Sequence, residues 1–313
     1  MQDFLSVNRL APDEADAKLA DLAARAPSEE SARDAEFERA RLALRTGDVE
    51  LAKSRFQDLW DSRHNDAVAS RSLYELGRIA AEHEGNLDDA RRLLRMAITE
   101  TPPWAGAEFA LQFYRRLELQ QQRLRPLIVA LGEMAEATDN DRMAAQIHLE
   151  RGLLLDRKMD RPNQALQAYR AAFYRCKKCG ATDEAVYQMG LIYTRHERLE
   201  SAQASFDVVA RRTGRSFFVG TYNSQRAADA RYQMGMVELL YRQDYDAAER
   251  HFRKFIRTFP NHRKTDDAAW NLVQLERLRG EQRAYRRALE RFIDDYSHSR
   301  HADEARRQLA NLT

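Results

Sequence analysis

Apolar residues recur along the chain with the spacing of amphipathic helices, and four segments share a further pattern. In each of them an alanine follows a glycine by twelve or thirteen residues, and a large apolar residue stands four residues after the alanine. The four sets are Gly77, Ala90 and Leu94; Gly152, Ala165 and Tyr169; Gly190, Ala202 and Phe206; and Gly235, Ala248 and Phe252. Closely packed helices need small residues where they cross and a large residue to fill the adjacent space. The pattern therefore predicts repeated antiparallel helix pairs.

Turn-forming residues are scarce between these segments. Glycine (12) and proline (7) are few in a chain of 313 residues, about half the usual combined share of roughly 12%. Long runs rich in alanine, leucine, arginine and glutamate favour helices over strands. We therefore predict an all-α chain.

The pattern resembles the tetratricopeptide repeat, a helix-turn-helix unit of about 34 residues. The residues that carry the resemblance are Tyr187, Gly190, Tyr193, Ala202 and Phe206; Tyr232, Gly235, Ala248, Phe252 and Pro260; and Leu73, Leu76, Gly77, Ala90, Leu94, Ala97 and Pro102. The resemblance implies a right-handed superhelical solenoid of antiparallel helix pairs.

The repeats set the expected domain layout. Residues 1–30 are predicted to form an N-terminal helical cap, and residues 31–298 about seven helix pairs in one continuous solenoid. Residues 299–313 are predicted to form a capping helix, because an open terminal repeat would expose its apolar stacking face. Gly190 and Gly235 are 45 residues apart rather than about 34, which indicates an inserted loop at 212–226.

Charge and motifs narrow the function class. The 51 basic and 49 acidic residues give a net charge of +2, without the basic excess that nucleic-acid binding requires. No apolar segment reaches the roughly eighteen residues of a membrane span. We find no nucleophile motif, phosphate-binding glycine loop or metal-binding helix motif. We therefore expect a non-enzymatic protein without cofactor or metal, whose partner is another protein.

The two cysteines, Cys176 and Cys179, have the spacing of half a zinc site, and no second pair exists. The helical pattern predicts that both lie on the last turn of a second helix, which ends at Gly180. Whether they have a metal or redox role stays open.

By resemblance, the first helices of the repeats line a concave groove that binds partner segments. Tyr74, Tyr187 and Tyr232 each stand three residues before a repeat glycine. A tyrosine offers a large contact area and a hydroxyl for hydrogen bonding. The predicted groove contacts are these tyrosines together with Arg71, Arg195 and Met236. The alternative is that the tyrosines serve only in packing.

The inserted loop supplies a second candidate contact. Phe217 and Phe218 stand between Gly214 and Gly220, and Tyr222 follows Gly220, in a stretch without helical periodicity. A long loop with aromatic residues is typical of a docking point. The alternative is that the two phenylalanines fold back and fill a gap between repeats.

Paired aromatics in 251–260 and 289–297 make the last third similar to tetratricopeptide proteins of the bacterial envelope, of the outer-membrane barrel-assembly lipoprotein and Tol-Pal coordinator type. The resemblance implies a scaffold or adaptor in a bacterial envelope or secretion assembly. Two alternatives remain, a helical regulatory domain of a peptidoglycan lytic enzyme and a self-assembling homo-oligomer. The protein is expected in the cytoplasm if the sequence is complete, and in the periplasm or cell envelope if a leader was removed.

Overall fold

A computed structural model describes residues 10–62, 66–100, 105–212 and 224–312. Every regular element within these ranges is a helix. The predicted all-α fold of helix pairs is therefore confirmed. The chain divides into two compact units, Met1–Leu155 and Asp156–Thr313.

Short turns join the two helices of each pair. In chain order, the helices of the N-terminal half are α1 Pro12–Ala24, α2 Glu29–Thr46, α3 Val49–Ser62, α4 Ala67–Glu82, α5 Leu87–Thr99, α6 Ala105–Gln120, α7 Leu124–Ala137 and α8 Asp141–Arg157. They are followed by α9 Pro162–Arg175, α10 Gly180–Arg195, α11 Leu199–Ala210, α12 Ala227–Val237, α13 Tyr245–Thr258, α14 Thr265–Arg279, α15 Gln282–Asp295 and α16 Ala302–Ala310. A longer connection, residues 211–226, separates α11 from α12. A π-helical turn, Glu238–Arg242, extends α12.

Side-chain caps fix where several helices begin. The carboxylate of Asp66 accepts a hydrogen bond from the backbone N–H of Ala69 at 2.7 Å at the start of α4. Asp244 does the same for Ala247 at 2.8 Å at the start of α13. Such caps satisfy N–H groups that have no partner within the helix. They set the register of the first turn.

The turns between paired helices each contain a residue with positive φ. Glycine occupies this position in three turns, at Gly47, Gly85 and Gly280. The other four are non-glycine residues, Gln122, Asp160, Glu197 and Gln243, with φ between 52° and 57°. A left-handed residue reverses the chain at a helix end, and glycine adopts that conformation at least cost. The turn geometry thus repeats although its residue type does not.

The repeat glycines make room for the large residue of the second helix. A Cβ on Gly190 would lie 2.5 Å from Cε1 of Phe206, and one on Gly235 would lie 2.7 Å from Cε1 of Phe252. Both phenylalanines are fully buried. The helix crossing is therefore close because the phenylalanine ring lies directly on the glycine backbone.

The terminal helices pack on the ends of their own units. In the first unit Ala15 and Leu19 of α1 form a small core with Leu42 of α2. In the second unit Ala305 of α16 joins a core with Leu289 of α15. The predicted functions of these segments as caps stay predictions.

Candidate functional site

In four helix pairs, α2/α3, α10/α11, α12/α13 and α14/α15, an aromatic ring of the first helix packs on an aromatic ring of the second helix in the same way. The ring centroids lie 5.3–5.7 Å apart and the ring planes cross at 56–58°. The pairs are Phe37–Phe56, Tyr187–Phe206, Tyr232–Phe252 and Trp270–Phe292. Two predicted groove residues, Tyr187 and Tyr232, therefore lie in the packing of their own hairpins.

Basic side chains lie over both of these tyrosine rings. The guanidinium carbon of Arg226 is 5.2 Å from the ring centroid of Tyr187, and Nζ of Lys264 is 4.9 Å from that of Tyr232. Nδ2 of Asn271 donates a hydrogen bond to the Tyr232 hydroxyl at 3.1 Å. Burial raises the pKa of both tyrosines above the usual value. Tyr187 is buried and Tyr232 is partly buried, so a partner would reach the ring of Tyr187 only by displacing its neighbours.

The remaining predicted groove residues have partners within their own unit. Met236 packs on the core that contains Phe252. Arg71 forms an ion pair with Asp34, and its guanidinium carbon lies 4.4 Å from the ring centroid of Phe37. Arg195 forms an ion pair with Asp156. Tyr74 and Arg71 lie in the first unit, and the other four predicted groove residues lie in the second. The roles of all six in partner binding stay predictions.

Tyr74 has a different environment from the other two tyrosines. Its ring centroid lies 5.8 Å from that of Phe109 and 6.2 Å from that of Phe113, both on α6. Phe109 is 48% exposed. An open cavity of about 560 Å³ runs beside these rings. We call it the Tyr74 groove, and it is lined by Tyr74, Phe109, Gln112, Phe113, Arg115, Arg116, Leu119 and Gln120.

Arginines form the charged part of the Tyr74 groove. Arg115 donates to Glu150 at 2.7 Å. The guanidinium carbon of Arg116 lies 4.7 Å from the ring centroid of Phe113, and its nearest carboxylate oxygen, from Glu82, is 3.7 Å away. Residues of α6 thus place guanidinium groups beside an exposed aromatic surface.

A buried carboxylate lies on the same helix as Tyr74. Glu75 is 8% exposed, and Nη1 of Arg78 donates to it at 3.0 Å. Burial raises the pKa of Glu75, against the opposing effect of Arg78 and Arg41. Arg78 also donates to Glu82 at 2.8 Å, so Glu82 is held closer to Arg78 than to Arg116.

The predicted loop contacts Phe217, Phe218 and Tyr222 lie outside the described residues. The described residues on either side of them are close together, because the backbone N–H of Ser224 donates to the carbonyl of Arg212 at 2.9 Å. Arg212 also forms an ion pair with Asp183, and Arg226 forms one with Glu184. Both flanks of the insertion are therefore attached to the first turns of α10.

The predicted helical position of the cysteines is wrong. Helix α9 ends at Arg175, before Cys176, and α10 begins at Gly180, so both cysteines lie in the turn between the helices. The hydroxyl of Thr182 donates to the carbonyl of Ala172 at 3.1 Å, which satisfies a group at the end of α9. Gly180 has open space around it and starts a helix instead of ending one.

The part of the chain that the structure describes contains neither a metal-binding cluster nor a membrane-spanning helix. No three histidine, cysteine, aspartate or glutamate side chains in that part are grouped to hold a metal ion. No helix among the described residues has the length and apolar character needed to cross a bilayer. Cys176 and Cys179 form no disulfide.

The sequence reasoning missed most of the Tyr74 groove. Phe109, Phe113 and Arg116 follow one another at spacings of four and three residues, which places them on one face of α6. That spacing is the signal that could have identified the site. The repeat pattern does not mark this helix, because Gly106 is followed twelve and thirteen residues later by Glu118 and Leu119 and not by an alanine.

A family model described as tetratricopeptide repeat matches residues 229–262, which span α12 and α13. Repeats of this kind are typically non-catalytic modules that bind other proteins. A search of curated proteins finds no relative.

Solved structures of low sequence identity share the helical architecture. PilF of Pseudomonas aeruginosa is 17% identical, with a TM-score of 0.41, over 76% of this chain and 96% of that one. The C-terminal part of a repeat protein from Cytophaga hutchinsonii is 12% identical, with a TM-score of 0.43, over 96% of both chains. Human IFIT1 is 14% identical, with a TM-score of 0.45, over 96% of this chain and 68% of that one. These similarities are too weak to transfer any function. Residues 229–262 form a tetratricopeptide repeat, and the predicted resemblance of the chain to that family is confirmed.

Proposed function

We propose that this protein is a non-enzymatic adaptor that binds a segment of a partner protein in the Tyr74 groove. The observation that carries the proposal is Phe109, a phenylalanine 48% exposed beside an open cavity of about 560 Å³. Exposed aromatic surface next to a concavity is typical of an interaction site. Aromatic and arginine side chains are also the residues that most often dominate binding energy at interfaces.

The helical support of the groove favours binding at low entropic cost. Tyr74 and Phe109 are held by α4 and α6, which pack directly on each other. The Arg116 guanidinium lies over Phe113 before any partner arrives. Side chains that are already ordered lose less conformational freedom on binding. Most of the conformational entropy lost on binding is therefore that of the partner segment.

Further contacts complete the proposal. Phe217, Phe218 and Tyr222 of the inserted loop are a separate candidate contact in the second unit, and Arg71 and Arg195 are candidate charged contacts, each within its own unit. The setting proposed is a bacterial envelope or secretion assembly, as the resemblance to envelope proteins implies. No catalytic step is assigned to any residue.

Site-specific photo-crosslinking tests the groove. A benzoylphenylalanine replaces Gln112 in the groove lining, and in a control chain it replaces Val129 on α7, which is 60% exposed. Both chains are irradiated in native lysate and the products are identified by mass spectrometry. We expect one dominant partner at position 112 and none at position 129. Equal products at both positions, or crosslinks only to the protein itself, would contradict the proposal, and the latter would favour self-assembly.

A further inference from the structure

The charged groups of the Tyr74 groove are arranged unequally around the cavity. Its lining contains two guanidinium groups, those of Arg115 and Arg116, and no carboxylate. The carboxylates that approach these arginines, from Glu150 and Glu82, stand outside the lining. A ligand in the cavity therefore meets positive charge first.

The exposure of the paired groups points the same way. The Arg115 side chain is 39% exposed and that of Glu150 is 16% exposed. The Arg116 side chain is 60% exposed and that of Glu82 is 39% exposed. In both pairs the cation faces solvent more than its anion does. Each carboxylate therefore offsets the charge of its arginine and leaves the guanidinium accessible to solvent.

Arg116 has unused hydrogen-bonding capacity. A guanidinium carries five N–H donors in a planar fork that fits a carboxylate. Within the described residues Arg116 makes no hydrogen bond, and its only ion pair, with Glu82, is 3.7 Å long. Its guanidinium carbon lies 4.7 Å from the centroid of the Phe113 ring. The geometry is thus prepared for an anionic group beside an aromatic surface.

We propose that the segment bound in the Tyr74 groove is a linear peptide in which a large apolar side chain stands next to aspartate or glutamate. This inference rests on the proposed function and specifies its partner. The apolar side chain covers Phe109 and contacts Tyr74, while the neighbouring carboxylate accepts hydrogen bonds from Arg116. The amides of Gln112 and Gln120 in the lining are available to the peptide backbone.

A nucleic acid fits the observations less well than such a peptide. Aromatic and arginine side chains also bind single strands, but a strand needs a track of cations along its phosphates. Of the three arginines around the groove, Arg78 and Arg115 are each bound to carboxylates within 3.0 Å, and Arg116 makes no hydrogen bond to a described residue. The net charge of the whole chain is +2.

Fluorescence anisotropy with the full chain tests the inference. The probes are a short fluorescein-labelled peptide of phenylalanine and glutamate in a glycine–serine background, the same peptide with lysine for glutamate, the same with alanine for phenylalanine, and a labelled oligouridine. We expect the first to bind most tightly, about tenfold better than the alanine peptide, with affinity falling as salt rises.

Two variants locate the binding. Arg116→Glu should weaken the first peptide about fivefold, because it removes an exposed charge pair and places a like charge beside the peptide carboxylate. The matched control is Arg92→Glu on α5, whose side chain is 59% exposed and lies outside the groove lining. The control should leave the affinity unchanged. Equal effects of the two variants would overturn the inference.

The outcomes separate this inference from the proposed function. Suppose that position 112 crosslinks to a partner but the lysine peptide binds as tightly as the glutamate peptide. That result would support partner binding in the Tyr74 groove and would overturn the inference that the bound segment is acidic. Tighter binding of oligouridine than of any peptide would also overturn the inference. So would failure of all the probes to bind.

Discussion

Tyr74 in the first unit and Tyr187 in the second occupy the same repeat position but have opposite environments. Tyr187 is 6% exposed and packs on Phe206 of its own hairpin, 5.7 Å between centroids. The residue equivalent to Phe206 in the Tyr74 hairpin is Leu94, which is smaller and not aromatic. Tyr74 instead contacts Phe109 and Phe113 of the next first helix and borders an open groove.

This difference shows that a repeat position does not determine the exposure of its residue. The residue that contacts the glycine and the residues of the next first helix together decide where the aromatic ring packs. Where that residue is phenylalanine the tyrosine packs on it, and where it is leucine the tyrosine packs on the next first helix. A groove can therefore form at one repeat of an otherwise regular array.

The largest expected contrast is between Tyr187→Ala and Tyr74→Ala. Tyr187→Ala removes a buried ring that contacts Phe206, and we expect it to lower the free energy of unfolding by about 3–5 kcal/mol. Tyr74→Ala removes a half-buried ring at an open groove and should cost about 1 kcal/mol. Urea unfolding followed by circular dichroism measures both. Equal losses would show that the two tyrosines have equivalent structural roles.

The second contrast lies within helix α10. A Cβ at Gly190 would lie 2.5 Å from Phe206, whereas one at Gly180 would meet nothing within 4 Å. We expect Gly190→Ala to cost about 1–3 kcal/mol through overpacking. Gly180→Ala should be neutral or stabilise by up to about 1 kcal/mol, because alanine favours the helix. Thermal or urea midpoints check this, and a stabilised Gly190→Ala chain would exclude the close ring contact.

The third prediction is that acid weakens the second unit through His251. Burial, with Arg231, Arg250 and Lys254 nearby and Asp207 opposing them, lowers the pKa of His251 to about 4, against about 6.5 in the unfolded chain. Its stability contribution is complete above pH 6.5 and is lost as the pH falls towards 4, because the unfolded chain then binds the proton more readily. Each pKa unit corresponds to about 1.36 kcal/mol, and solvent screens the partly exposed ring, so we expect a loss of about 1–2 kcal/mol over this range.

His251→Gln removes the titrating group and supplies the control. Unfolding free energies measured between pH 7 and about 4 should depend less on pH in the variant than in the unchanged chain. The same pH dependence in both chains would show that His251 contributes nothing to it.

The smallest expected effect concerns the hydroxyl of Tyr232. Tyr232→Phe keeps the ring against Phe252 and removes the acceptor for Asn271. We expect a loss of about 0.5–1.5 kcal/mol, the usual net value of one hydrogen bond. The Asn271→Ala variant and the double variant complete a mutant cycle. A coupling energy of zero would contradict the hydrogen bond.

The fold could be predicted from the sequence because helix pairs repeat one small set of contacts. The spacing of Gly190, Ala202 and Phe206 encodes a local crossing of two neighbouring helices, and such contacts are visible within a single repeat. The turns were harder to predict. Glycine marks the left-handed residue at Gly47, but Gln122 and Glu197 adopt the same conformation without any distinguishing sequence signal.

The site was less predictable because exposure depends on neighbouring repeats. Tyr74, Tyr187 and Tyr232 look equivalent in sequence, and the difference between them comes from Leu94 and from Phe109 of the following first helix. The position of Cys176 was also missed, since the end of α9 depends on how Thr182 satisfies its last carbonyls. These features are set by contacts between elements rather than by the residues themselves.

The most direct test of the central claim is the crosslinking yield at position 112 in a chain that also carries Phe109→Ser. Phe109 is 48% exposed, so we expect the urea midpoint to change little. The account predicts that the partner crosslink is lost while the midpoint is retained. A crosslink of undiminished yield in the folded variant would show that the partner does not bind in the Tyr74 groove.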